Sequence, residues 1–148
     1  MKVNIKKINS NATTPTYGST EAAGLDLYAL IENETSSLFI PSSATVKINT
    51  GIAIEIPKGY FGAVYARSGL SIKNGLRPAN CVGVIDSDYR GEIIVALHND
   101  SSEDYIINNG DRIAQIVITP YLTIEPNEVT ELSNTERGEG GFGSTGIK

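Results

Sequence analysis

Three segments of this 148-residue chain concentrate residue types that handle anions. The first is Arg137-Gly138-Glu139-Gly140-Gly141-Phe142-Gly143-Ser144-Thr145-Gly146, which has five glycines, one arginine, one aromatic ring and two hydroxyls in ten positions. Glycine loses more backbone freedom on ordering than any other residue, so such a run does not hold regular structure by itself. It can bring backbone N–H groups close to an anion, while the arginine supplies charge and the phenylalanine a flat face for a base. A plain linker would repeat serine and glycine without placing a single Arg and a single Phe. The run reads as a mobile arm that orders over a phosphorylated ligand carrying a ring. The second segment, Ala66-Arg67-Ser68-Gly69-Leu70, follows a strand pattern. There, backbone N–H groups, a hydroxyl and a guanidinium can cradle phosphate, although the motif is short. The third, Gly83-Val84-Ile85-Asp86-Ser87-Asp88-Tyr89-Arg90-Gly91-Glu92, gathers carboxylates. On spacing alone, a hairpin turn whose aspartates bond their own backbone accounts for it. Direct divalent-metal binding by Asp86 and Asp88 is a second reading.

The rest of the composition narrows the chemistry. His98 is the one histidine and Cys81 the one cysteine, which argues against Ser-His-Asp, Cys-His or histidine-metal sites and leaves no internal disulfide. His98 reads as an ordinary strand-end residue, and Cys81, in the apolar run Cys81 to Ile85, as a small buried hydrophobe. The lone cysteine makes a reducing compartment the natural expectation: cytoplasm, or host cytoplasm for a viral chain. The formal charge of −5 excludes a broad nucleic-acid surface but not a small polyphosphate, which needs only a few local cations. No apolar run approaches membrane-spanning length, and no signal peptide is expected. Carboxylates, arginines, hydroxyls and amides remain, the equipment for positioning a phosphate ester and a water.

The elements that must position these residues read as β throughout. Val3 to Lys6, Ile52 to Ile56 and Ile113 to Ile118 alternate, and Leu25 to Leu30, Thr45 to Ile48, Gly62 to Ala66, Val82 to Ile85 and Ile93 to His98 are further strand candidates. Turn signals separate them at Pro57-Lys58-Gly59, Lys73-Asn74-Gly75, Asp88 to Gly91 and Asn108 to Asp111. Only Ser68 to Lys73 resembles a helical turn. Many short strands with regular turns, in a chain long enough to bury one core, predict an all-β sandwich, jelly roll or barrel.

Taken together, the motifs resemble those of the homotrimeric dUTP pyrophosphatases (dUTPases), whose five sequence motifs occur here in order. They are Ala23-Gly24-Leu25-Asp26-Leu27-Tyr28-Ala29, Ala66 to Leu70, Gly83 to Glu92, Gly110-Asp111-Arg112-Ile113-Ala114-Gln115, and the glycine arm Arg137 to Gly146. The resemblance spans nearly the whole chain. It implies a jelly-roll-like subunit over residues 1–136, a mobile arm over 137–148, and a homotrimer that builds its active sites from neighbouring chains. The implied reaction is hydrolysis of dUTP to dUMP and pyrophosphate, which limits uracil in DNA and supplies dUMP for dTMP synthesis. Mg2+ would be held mainly by triphosphate oxygens and water.

The resemblance also assigns roles. Asp86 matches the carboxylate that orients and deprotonates the attacking water. Asp26 matches one that supports the metal's water shell, its alternative being a polar, outward-facing strand residue. Arg67, Ser68, Gly69 and Gln115 match phosphate contacts, with a solvated strand position as the alternative for Gln115. Arg137 matches a γ-phosphate contact, Phe142 a ring stacked on uracil, and Gly143 part of the same arm. Asn80, with the backbone of Gly83, Val84 and Ile85, matches a uracil-reading hairpin, and Tyr89 a residue beneath the deoxyribose that leaves no room for a 2′-hydroxyl. Asn74 stands where many relatives carry histidine, and Ala79 where glycine often precedes the asparagine; Pro78 stiffens the approach to that loop. Two rivals remain: a dCTP deaminase of the same superfamily, and a non-catalytic regulatory or binding protein on the same scaffold.

Overall fold

The computed structural model describes residues 1–142 and 144. In chain order the strands are β1 (Asn4–Lys7), β2 (Thr16–Tyr17), β3 (Leu25–Tyr28), β4 (Ser37–Ile40), β5 (Thr45–Asn49), β6 (Ile52–Glu55) and β7 (Tyr60–Tyr65). A short helix, α1 (Ser68–Asn74), is followed by β8 (Leu76–Pro78), β9 (Gly83–Ile85), β10 (Ile94–Asn99), β11 (Tyr105–Asn108) and β12 (Arg112–Pro120). They form four antiparallel sheets: β2-β3-β12-β7-β9, β5-β10-β8, β1-β6 and β4-β11. The expected all-β jelly-roll subunit is what forms, and its sheets stay open and sandwich-like rather than closing as a barrel.

The core between the sheets is mostly isoleucine. Ile40, Ile48, Ile52, Ile56, Ile93, Ile107, Ile113 and Ile116 are all buried, with Leu27, Leu76 and Leu97 among them. β-Branched side chains suit a pleated surface, and each such burial stabilises by about 1.5–3 kcal/mol. β12 carries Ile113, Ala114 and Ile116 into this core and runs down the middle of the large sheet. Asn99 is a fully buried polar residue at the edge of this core. The Asn99 amide donates to Ile40 O (3.2 Å) and Glu103 O (2.8 Å) and accepts from Ser101 N (3.0 Å), closing the end of β10 onto β4.

Every expected strand is present with shifted ends, and the helical turn at 68–73 becomes α1, ended by Gly75 in the left-handed region. Four strands were not expected: β2, β4, β8 and β11. The apolar run at 81–85 also divides differently. Its first residues form a turn and β9 starts at Gly83, so Cys81 is exposed, with φ 62°, rather than buried. Nor do β8 and β9 pair as a hairpin: β8 pairs with β10 and β9 with β7, so the chain crosses between two sheets there. Beyond Pro120 the described residues form no further strand or helix.

Candidate active site

At the C-terminal end of β7 the chain turns through Arg67 into α1. Arg67 is extended (φ −86°, ψ 126°) and no side chain caps the helix, which leaves first-turn N–H groups beside Ser68 and Gly69 available to a ligand. The neighbouring strands β3 and β12 bring Asp26 opposite Gln115. Asp26 is buried, at 7% exposure, and its carboxylate holds two guanidiniums: Arg67 Nε on Oδ1 at 2.8 Å and Arg112 Nη1 on Oδ2 at 3.2 Å. Arg67 also donates to Arg112 O (3.3 Å), and Gln115 Nε2 donates to Ala66 O (2.9 Å). These side chains, with Ser68 and Gly69, line a cleft of about 340 Å³. Two arginines against one aspartate leave it with one net positive charge, an anion cradle held by charge-assisted hydrogen bonds. Alternation along β3 sets Asp26 on the face opposite the core residue Leu27, the outward face of the expected alternative, but Arg67 and Arg112 cover it there, so it is buried rather than solvated. Gln115 is half-buried rather than solvated.

Arg112 belongs to this cradle and was not among the expected contacts. The signal lay in Gly110 to Gln115, where Arg112 precedes Gln115 by three residues, but the bulge between Arg112 and Ala114 that turns it toward Asp26 has no local signature.

A second group sits where the chain crosses from β8 to β9. Cys81 N donates to Pro78 O (3.0 Å) and Val82 N to Asn80 O (2.6 Å), so the turn is tight. A Cβ on Gly83 would lie 3.2 Å from Val64 Cβ and 3.3 Å from Asn80 Nδ2, so the backbone nestles against both. Asn80, Gly83, Val84, Ile85, Val64 and Val95 line a narrow cleft of about 100 Å³ between the two sheets. It is small, walled by backbone and apolar side chains, and has one amide at its mouth.

Asp86 follows the last residue of β9. It is exposed, its carboxylate accepts no hydrogen bond among the described residues, and it borders an open cleft of about 570 Å³ with Lys58, Asp88, Arg90 and Tyr121. The Tyr89 hydroxyl donates to Glu92 O (2.9 Å), and its ring lies against Gly91. No cluster of three His, Cys, Asp or Glu suited to a metal occurs among the described residues, so Asp86 and Asp88 form no metal site of that kind. His98 lies one residue inside the end of β10, bonded through Nδ1 to Thr45 Oγ1 at 2.9 Å.

In the arm, Arg137 Nε donates to Gly140 O (2.8 Å) and Phe142 is fully exposed, so within one chain neither reaches the other groups. Gly143 lies outside the described residues.

The register of β7 orders these groups. Val64 pairs with Gly83 and Gly62 with Ile85, so Asp86 lies beyond Gly62 while Arg67 lies beyond Tyr65. At about 3.3 Å per residue, Asp86 lies about 10 Å from the Gly83–Val64 pair in one direction and Arg67 about 10 Å from it in the other. A ligand reaching from the narrow cleft to Asp86 therefore points away from the cradle of its own chain.

The sheets and these groups define an all-β jelly-roll subunit carrying separate parts of an anion-handling site. The dUTPase family model matches residues 10–146. The chain belongs to the dUTPase family. It is 47% identical over 148 residues, the whole of both chains, to the deoxyuridine 5′-triphosphate nucleotidohydrolase of a Hydrogenobaculum species. Among solved structures, the Staphylococcus bacteriophage 80alpha dUTPase with dUPNHPP superposes with a TM-score of 0.87 at 30% identity, covering 99% of each chain. A dUTPase variant from S. aureus phage phi11, described with a structural Mg(II) ion, gives a TM-score of 0.77 at 26% identity, covering 88% of this chain and 98% of that one.

Proposed function

We propose that this chain hydrolyses dUTP to dUMP and pyrophosphate in sites shared between the subunits of a homotrimer. Membership of the dUTPase family supports the reaction, and the order of groups along β7 carries the reading of shared sites. Uracil enters the narrow cleft, where the Asn80 amide and the backbone of Gly83 to Ile85 meet its polar edge. Cytosine presents the opposite donor and acceptor order and leaves buried groups unpaired. Tyr89 packs beneath the deoxyribose. The phosphate chain then runs toward Asp86, and a second subunit brings its Arg67, Ser68, Gly69, Gln115 and Arg112 to meet it.

Asp86 orients a water for attack on the α-phosphorus and takes its proton as the new P–O bond forms and the bond to pyrophosphate breaks. Its freedom from internal partners suits that task. Residues 137–148 close from another chain, with Arg137 on the terminal phosphate, Phe142 over uracil and Gly143 in the same wrap.

Magnesium fits this site as a substrate-borne ion rather than one in a protein cage. Each Asp26 oxygen takes one N–H and keeps a lone pair that would accept from a metal-bound water. Bound there, the ion neutralises phosphate charge. No helix of the described chain is long and apolar enough to cross a membrane, and we place the enzyme in the cytoplasm. The test is pyrophosphate release from dUTP, dCTP, dTTP and UTP in parallel, with and without Mg2+. Strong preference for dUTP is expected, and Asp86→Asn should abolish turnover while retaining binding. Ammonia release from dCTP would move the chain to the deaminases, and binding without turnover would make it a regulatory protein.

A further inference from the structure

The Asp86 carboxylate has no hydrogen-bond donor of its own among the described residues, so only the backbone of the segment after β9 places it. That segment lies outside any sheet and holds a single long backbone bond, Tyr89 N to Asp86 O at 3.2 Å. Glu92 anchors the far end of the segment, its carboxylate accepting from Thr50 N (3.1 Å) and Gly51 N (2.7 Å), and Arg90 restrains the turn next to Asp86. Its guanidinium folds back over the turn, and Nη1 donates to both Ser87 O (2.7 Å) and Tyr89 O (3.0 Å). Nη2 reaches Glu55 Oε1 on β6 at 3.5 Å, and Asn4 Nδ2 on β1 holds the other Glu55 oxygen at 2.7 Å. The turn that carries Asp86 is thus tied to the β1–β6 sheet through one planar cation.

We infer that Arg90 is a positioning residue for the hydrolytic step: it fixes the Asp86 turn and does not itself hold phosphate. Both terminal nitrogens are engaged, with two carbonyls and a carboxylate, which leaves the guanidinium poorly placed to meet a phosphate. A guanidinium spans all three acceptors at once, whereas a lysine ammonium, a compact point charge, satisfies fewer of them. Misplacing a catalytic group by about 1 Å costs up to about 100-fold in rate. The side chain is 53% exposed, so its loss opens no core cavity.

This inference rests on Asp86 as the water-activating group, and the experiment separates the two. Full-length Arg90→Ala, Arg90→Lys and Asp86→Asn are compared for kcat and KM on dUTP with Mg2+, for dUPNHPP affinity, and for thermal unfolding. Arg90→Ala should lower kcat by about 30-fold with KM and analogue affinity within about twofold and unfolding unchanged, and Arg90→Lys should recover only part of the loss. An unchanged kcat overturns the inference, as does a loss falling on KM and analogue affinity, which would make Arg90 a phosphate contact. A rate loss that tracks a loss of stability, with both restored by lysine, overturns it too. Near-normal turnover by Asp86→Asn would instead defeat the assignment of the base.

Discussion

Gly91→Ala is a one-methyl probe of sugar selection. A Cβ at Gly91 would sit 2.6 Å from Tyr89 Cζ and 3.0 Å from Cε2, and closer still to the hydroxyl oxygen. Carbons in contact sit about 3.5–4.0 Å apart, so the ring must withdraw by about 1 Å. Gly91 does not use the left-handed region, so alanine adds no backbone strain, and Tyr89 is 43% exposed and free to swing outward. What is lost is the hydroxyl bond to Glu92 O, about 1 kcal/mol. With Tyr89 beneath the deoxyribose, lowering that floor relieves part of the clash with a 2′-hydroxyl. Relief of about 1.4 kcal/mol raises the UTP:dUTP ratio of kcat/KM about tenfold. Pyrophosphate release from the two nucleotides, with a denaturation curve on the same sample, reads both effects. An unchanged ratio in a folded protein would remove Tyr89 from sugar selection, and destabilisation beyond about 2 kcal/mol would mean that the backbone moved instead of the ring.

Asp26→Asn should weaken dUTP binding about tenfold and cost about 2 kcal/mol of stability, most of it from the half-buried Arg67 bond because Arg112 is 48% exposed; equilibrium binding and denaturation at fixed protein concentration check both. Asn99→Ala should cost about 2 kcal/mol in the same denaturation assay with little change in KM, since it takes a partner from Ile40 O and Ser101 N far from the site, while Glu103 O keeps its bond from Ser101 Oγ. Mixing inactive Asp86→Asn subunits with inactive subunits truncated before Arg137 should restore activity. A mixture that stays dead would confine each site to one chain.

The sequence carried much of this architecture, but unevenly. Ile52-Ala53-Ile54-Glu55 and Arg112 to Pro120 announce themselves by alternation and β-branching, and both are strands. β4 and β11 do not. Each is a short continuous apolar run, Leu38-Phe39-Ile40 and Tyr105-Ile106-Ile107, without the alternation that marks β6, and they pair with each other, Leu38 against Ile107. β8 contains a proline and is a strand because β10 passes beside it. At the site, the residue types near Ser68 and Asp86 were legible as anion chemistry. Their separation to opposite ends of β7 was not, because register is a property of the pair of strands. The burial of Asp26 beneath two arginines was equally silent, since it depends on β12 lying beside β3 with a bulge.

The crossing from β8 to β9 ties recognition to the interior. Val64 and Val95 wall the narrow cleft and are themselves 5% and 2% exposed, so the width of the cleft is the spacing of two sheets. A ring that fits there clamps those sheets at one separation, and its affinity reappears as resistance to unfolding, about 2.7 kcal/mol at a hundredfold excess over Kd. The dependence also runs backward. A methyl group removed at Val95, a buried wall of the cleft, should widen the space open to a ring there. If uracil is read there, a substitution that resets the spacing of the two sheets should move stability and base preference together.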